Sequence, residues 1–213
     1  CDWSASNESF IVDYDNLLEL FELVVNGDAT VDVAFQMDNM LVVGGQAIIS
    51  QLQIQATNKE NATMSLSLEG ASPVGEKNAT VVTPRLMPRI RGKALMVAIK
   101  DENGNYHTLA ASTSHTLSVS VQTSDVSTKD ENDLGANKEV TGKSVTLSTE
   151  NLVAVSGGTA DITGKFLPEL LETTLSGTTL EMSFGYYESA VGSASGSDSD
   201  WGNADVTLMR GSF

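Results

Sequence analysis

One cysteine, Cys1, two histidines, His107 and His115, and four prolines mark out what this 213-residue chain does without. A single cysteine excludes an internal disulfide, and with only two histidines it excludes a Cys/His metal cluster. Basic residues are scarce: Lys and Arg total 12 against 28 Asp and Glu, for a formal net charge of −16. A protein that grips nucleic-acid phosphates needs the opposite balance. No apolar run approaches the ~20 residues of a membrane-spanning helix. No basic-then-apolar targeting segment is visible. A chain opening at Cys rather than Met reads as processed, cut or incompletely represented, and a mature lipoprotein also opens at Cys. The length suits one large or two small domains.

What is present is a repeat. Asn16–Gly27 followed by Val31–Phe35 is echoed by Phe166–Gly177 followed by Leu180–Phe184. Glu19, Leu20, Glu22 and Gly27 recur as Glu169, Leu170, Glu172 and Gly177; one residue is dropped, and Asp32 and Phe35 recur as Glu181 and Phe184. Each copy predicts a short amphipathic helix, a glycine stop and a strand. Leu17, Leu20, Phe21, Val24 and Val25 make one apolar helical face. Asp13 or Asp15 is placed to cap its start, and Gly27 to end it in the left-handed conformation. Val31, Val33 and Phe35 then alternate with polar residues as in a half-buried strand. In the second copy Pro168 suits the first helical turn and Gly177 the stop.

The remainder reads as short strands and turns. Asp38-Asn39 and Gly44-Gly45 predict turns. Ile48, Leu52 and Ile54 alternate with Gln51, Gln53 and Gln55; after a polar turn at 57–61, Met64, Leu66 and Leu68 alternate with Ser65, Ser67 and Glu69, giving a hairpin. Residues 70–86 read as a connector, and Met87–Lys93 as a fresh start. Strands follow at 94–100 and 106–111 around an Asn103-Gly104 turn, then at 117–121, 140–149 and 204–209. A long polar loop spans 125–139, and a Gly/Ser/Asp-rich loop spans 192–202. The expected fold class is mainly β, an antiparallel barrel or sandwich with one short helix packed on it per unit.

No catalytic constellation emerges. Ser114-His115 lies in a strand pattern without triad context, and the histidine reads as a surface residue. Asp198 and Asp200 lack the calcium-loop spacing, and in Asp101–Asn105 the residue at the glycine position is Tyr106. Gly44-Gly45 and Gly157-Gly158 have no lysine at phosphate-loop spacing. Asn7, Asn61 and Asn78 fit the glycosylation acceptor pattern, as expected by chance in a chain rich in Asn, Ser and Thr. The chain reads as a non-enzyme.

At Arg91-Gly92-Lys93-Ala94-Leu95-Met96-Val97 the chain resembles the opening of the major tail tube protein of long-tailed bacteriophages. The resemblance continues through His115–Ser120, through Asp125-Val126-Ser127-Thr128-Lys129-Asp130 before the long loop, and through Val140–Ser148, then the helix–glycine–strand unit. Gly45–Leu52 and Asn61–Gly70 resemble the family's closing hairpin. The order is displaced, since the closing hairpin precedes the apparent start at Met87. Residues 1–86 thus resemble the family's C-terminal half and residues 87–213 its N-terminal half. Two accounts fit: a register inside a longer tandem two-unit subunit, or pieces of two related chains joined near Leu86/Met87.

The resemblance implies rings of subunits, hexamers or trimers of tandem units, stacked into a tube. Its implied partners are further copies, the tape-measure protein and tail-end proteins. Viral DNA would pass through without specific binding, with no cofactor and no membrane insertion. The implied location is the virion, after assembly in the host cytoplasm. A contractile injection-system tube would share the architecture. The long loop would reach the next ring, through Asp125, Lys129, Asp130, Glu131 and Asp133. Gln51, Gln53, Gln55, Ser118 and Ser120 are the expected lumen-facing set, because their strand partners are Leu, Val and Ile. Residues 1–86 carry 3 − 12 = −9 and residues 87–213 carry 9 − 16 = −7, and acidic or neutral walls would not hold phosphates. The rival reading is a surface lipoprotein or adhesin-like β-sandwich lipidated at Cys1, for which the same charge serves only solubility.

Overall fold

The computed structural model describes residues 3–11, 14–37, 40–75, 89–100, 106–108, 112–126, 138–151, 181–186 and 206–212. In chain order these are β1 (Ser4–Phe10), α1 (Tyr14–Asn26), β2 (Thr30–Met37), β3 (Met40–Thr57), β4 (Thr63–Gly70), β5 (Leu95–Lys100), β6 (Tyr106–Thr108), β7 (Ser112–Asp125), β8 (Lys138–Asn151), β9 (Glu181–Tyr186) and β10 (Val206–Ser212). One sheet has the order β1-β4-β3-β7-β8, with β2 also paired to β3; the other has the order β10-β9-β5-β6. The chain is mainly β and antiparallel, as its alternating patterns predict. Neither order closes on itself, so no closed barrel forms among the described residues. Contacts divide the chain into two compact units: Cys1–Ile54 with Thr63–Arg89 and Leu117–Thr146, and Gln55–Ala62 with Ile90–Thr116 and Leu147–Phe213. The boundary expected at 86/87 falls outside the described residues.

In the first unit α1 buries Leu17, Phe21 and Val24 and exposes Glu19 and Glu22, the face that its spacing predicts. Asp13 and the side chain of Asp15, the expected caps, lie outside the described set. At the other end the Gly27 N–H donates to the Leu23 carbonyl at 3.0 Å. Gly27 is not left-handed; that conformation falls on Ala29, with φ 58°. Glycine is needed at 27 for room, because a Cβ there would lie 2.6 Å from the Leu23 carbonyl oxygen.

β2 and β3 form a hairpin with Met37 opposite Met40, a register that encloses the predicted Asp38-Asn39 turn. Gly44 and Gly45 do not turn the chain; both lie inside β3. Their lack of side chains serves close approach instead. Gly44 exchanges backbone hydrogen bonds with Gly75 at 2.9 and 3.0 Å, and a Cβ on Gly45 would stand 3.1 Å from the Trp3 indole. The start of the expected connector is therefore docked, and Ala71 N–H also donates to the Gln46 carbonyl at 2.8 Å. In β4 the Met/Leu and Ser positions are all half-buried, so the sequence alternation does not become an alternation in burial.

The second unit is built around the turn after β3. Glu60 N–H donates to the Thr57 carbonyl at 3.2 Å, with Lys59 left-handed at φ 69°. The stretch read as a fresh start docks against this turn. Ala62 N–H donates to Ile90 O and Gly92 N–H to Glu60 O, both at 2.8 Å. A Cβ on Gly92 would lie 2.3 Å from the Thr57 carbonyl oxygen, so backbone meets backbone there. β5 pairs with β6 and with β9, and β9 with β10. The second repeat thus ends in a strand as predicted, while the helix expected at 166–177 falls on residues outside the described set.

Candidate functional face

Strands β3 and β7 are hydrogen-bonded neighbours; in the first unit β7 from Leu117 and β3 over residues 51–54 each present one dry and one wetter side, whereas Ala47, Ile48 and Ile49 of β3 are buried in succession. Leu52 and Ile54 of β3 and Leu117, Val119 and Val121 of β7 are buried. The intervening residues are neutral and polar. Gln51 is exposed and Gln53, Ser118 and Ser120 are half-buried, which places these sequence-predicted residues on the wetter face. The Gln51 amide reaches the Ser118 hydroxyl at 3.5 Å, the outer limit of a hydrogen bond. Gln55, at the part of β3 that belongs to the second unit, is also exposed.

β8 extends the same surface. A Cβ on Gly142 would sit 3.2 Å from the Gln122 amide oxygen, so even-numbered residues of β7 and β8 share a side. Ser144 and Thr146 follow on that side and are exposed. Lys143 points the other way. Its ammonium donates to the Val25 carbonyl at 3.1 Å and to the Gly27 carbonyl. α1 has no basic residue in its last turn. Lys143 supplies the cation that a helix C-terminus favours. The helix end and the neutral polar face therefore lie on opposite sides of β8. Gln51, Gln53, Ser118, Ser120, Ser144 and Thr146 on this face are all neutral; Lys138, also even-numbered on β8, is bound to Glu69.

The end of β7 and the start of β8, which flank the expected loop, both bond to β4. Glu69 of β4 accepts from Lys138 at 2.9 Å and from the Thr123 hydroxyl at 3.0 Å. The hydrogen bond from Lys138 leads in holding its carboxyl below the ordinary range, against a smaller opposing effect of burial. Of the residues expected to reach a neighbouring ring, Asp125 ends β7 and is exposed; Lys129, Asp130, Glu131 and Asp133 lie outside the described residues.

His115 is corrected from surface to core, being only 5% exposed. It continues the odd-numbered buried set of β7, which the alternation alone could have signalled. Burial pushes its pKa down to about 4. Its Nε2 lies 2.9 Å from the Ser112 hydroxyl. Ser112 in turn reaches the Glu150 carbonyl at 3.3 Å, while the Glu150 carboxylate accepts from Ser114 at 2.9 Å. The carboxylate thus bonds Ser114 and not the imidazole, and the relay geometry of a triad is missing.

An open cleft of about 400 Å³ is lined by residues that include Asp28, Thr30, Ile48, Lys138 and Glu139. Among its described lining residues there is no Ser, Cys or His. Among the described residues no group of three His, Cys, Asp or Glu side chains is placed to hold a metal ion, and no helix is long and apolar enough to cross a membrane. No protein-family model matches the chain, and no curated protein matches it either.

Proposed function

We propose that the chain is a structural subunit of a bacteriophage tail tube, self-assembling into stacked rings that conduct the genome. The observation that carries the reading is the neutral hydroxyl-and-amide face that runs across β3, β7 and β8, over a buried apolar side on β3 and β7. A conduit wall must pass a polyanion without holding it, and such a face offers phosphates no ion pair. The formal charge of −16 supports the same role by repulsion. β8, 14 residues long, ends its sheet order among the described strands. A long edge strand is suited to pairing with another copy. Gln51, Gln53, Gln55, Ser118 and Ser120 face the lumen in this reading, and Asp125–Asp133 reaches the adjoining ring.

Negative-stain electron microscopy of the purified chain is the direct test. Hollow striated tubes or stacked rings are expected, and their symmetry counts the units per subunit. Dispersed particles at concentrations where tube proteins polymerise would overturn the reading. Within a tube, Gln53→Lys is expected to slow genome ejection while leaving assembly intact. Normal ejection would remove Gln53 from the lumen.

A further inference from the structure

β1 is one of the edge strands of its sheet. It is 7 residues long, pairs with β4 from Ser4↔Glu69 to Phe10↔Thr63, and ends the sheet order among the described strands. Of its side chains only Ala5 and Ser9 are even half-buried. So little apolar burial places it at the low-stability end of the fold. Beyond its ladder to β4 it is held at both ends: the Arg89 guanidinium lies over the Phe10 ring, 4.1 Å from its centroid, with Ile11 buried just after it, and Trp3 precedes it. The indole N–H donates to the Ser72 carbonyl at 2.7 Å, and Gly70 N–H donates to the Trp3 carbonyl at 2.8 Å. The ring meets Phe35 edge-on with centroids 6.2 Å apart. Two glycines make its slot: a Cβ on Gly70 would lie 2.3 Å from the indole nitrogen, and one on Gly45 would lie 3.1 Å from the ring. β2, β3, β4 and Ser72 build this slot, and β1 contributes nothing to it.

An edge and a shaped slot, both filled by a weakly buried strand, form a recognition site that is separable from its occupant. We propose that β1 exchanges between copies: the β4 edge and the indole slot of one chain receive residues 3–10 of a second. Those residues are the occupant because they join an indole to the register in which the β4 edge is paired. Exchange remakes identical hydrogen bonds, so the linked and unlinked forms differ little in contacts. The proposal goes beyond the tube reading and does not depend on it, since an exchanged strand joins copies with or without rings.

Cross-linking tests it on the full chain. Ser6 and Ser67 are directly opposed. One chain carries Ser6→Cys and the other Ser67→Cys, both with Cys1→Ser. The two are mixed, incubated unassembled and oxidised. A disulfide-linked heterodimer is expected on a non-reducing gel, well above the level for Ser6→Cys mixed with a chain carrying Ser148→Cys. Adding Trp3→Ala to the Ser6→Cys chain is expected to cut the yield about tenfold or more, since an indole seated in a fitted slot is a typical anchor. A yield at the control level overturns the exchange, and a yield indifferent to Trp3→Ala overturns the slot as its recognition site.

Discussion

Phe35 in β2 and Phe184 in β9 hold matching positions of the repeat, yet Phe35 is 40% exposed and Phe184 is fully buried. The strands differ in their neighbours. β9 lies between β10 and β5, with Met209 and Val97 opposite Phe184. β2 pairs with β3, with Val43 opposite Phe35, and the Phe35 ring meets Trp3 in a T-shaped contact with centroids 6.2 Å apart. The shared pattern specifies a strand and the side on which the aromatic stands. How much water that aromatic loses is set by what other segments bring to that side.

The largest test of this contrast is truncation. Phe184→Ala is expected to cost about 3–5 kcal/mol in equilibrium denaturation, the usual range for emptying a core aromatic site. Phe35→Ala should cost about 1 kcal/mol, in line with its partial burial and one edge contact. Equal losses would break the distinction between the copies.

His115 extends the contrast to a polar side chain in a core position. Its neutral form is the one that packs, while the unfolded chain takes up a proton near the ordinary value of 6.5. Stability should be full above about pH 6.5 and decline as pH falls, with the loss complete below the folded value of about 4. The total is roughly 3 kcal/mol. His115→Leu should flatten that part of the stability profile. An unchanged acid slope would show that His115 is solvated.

The two glycine contacts sharpen the comparison further. Gly92→Ala pushes a methyl group onto the Thr57 backbone, and Gly70→Ala pushes one onto the Trp3 side chain. Both are overpacking changes of about 1–3 kcal/mol, with Gly92→Ala the costlier because backbone yields less than a ring. Gly70→Ala should also red-shift the emission of Trp3 and raise the exposure of Phe35. The smallest effect is expected at Glu69. Its lowered pKa adds stability that is present above about 4.5 and lost as pH falls through the folded value. Glu69→Gln should cost under about 1 kcal/mol at neutral pH and less in high salt, because the pair is partly exposed.

Much of the fold was legible from period and punctuation. The face of α1, the β2–β3 turn, the Ile48/Leu52/Ile54 stripe and the β5–β6 hairpin all follow from residues a few positions apart. The polar face was legible in the same way: Gln51 and Gln53 on one strand and Ser118 and Ser120 on another stand across from apolar partners. Gly44-Gly45 misled because glycine marks a turn and a crowded strand alike. His115 misled because its chemistry suggests surface, while the alternation around it pointed inward.

The sequence by itself determined the mainly-β class, the helix–glycine–strand unit, the acidic charge and which side chains alternate along each strand. These depend on local sterics and on a period that any segment carries with it. Tertiary structure alone decided that Trp3 seats at Ser72, 69 residues away, and that Lys143 caps a helix 118 residues before it. It also decided that Gly92 yields its space to Thr57 and that one repeat phenylalanine is buried while the other meets water. Each is a contact between distant segments, fixed when backbone hydrogen bonds and apolar area are satisfied together rather than segment by segment.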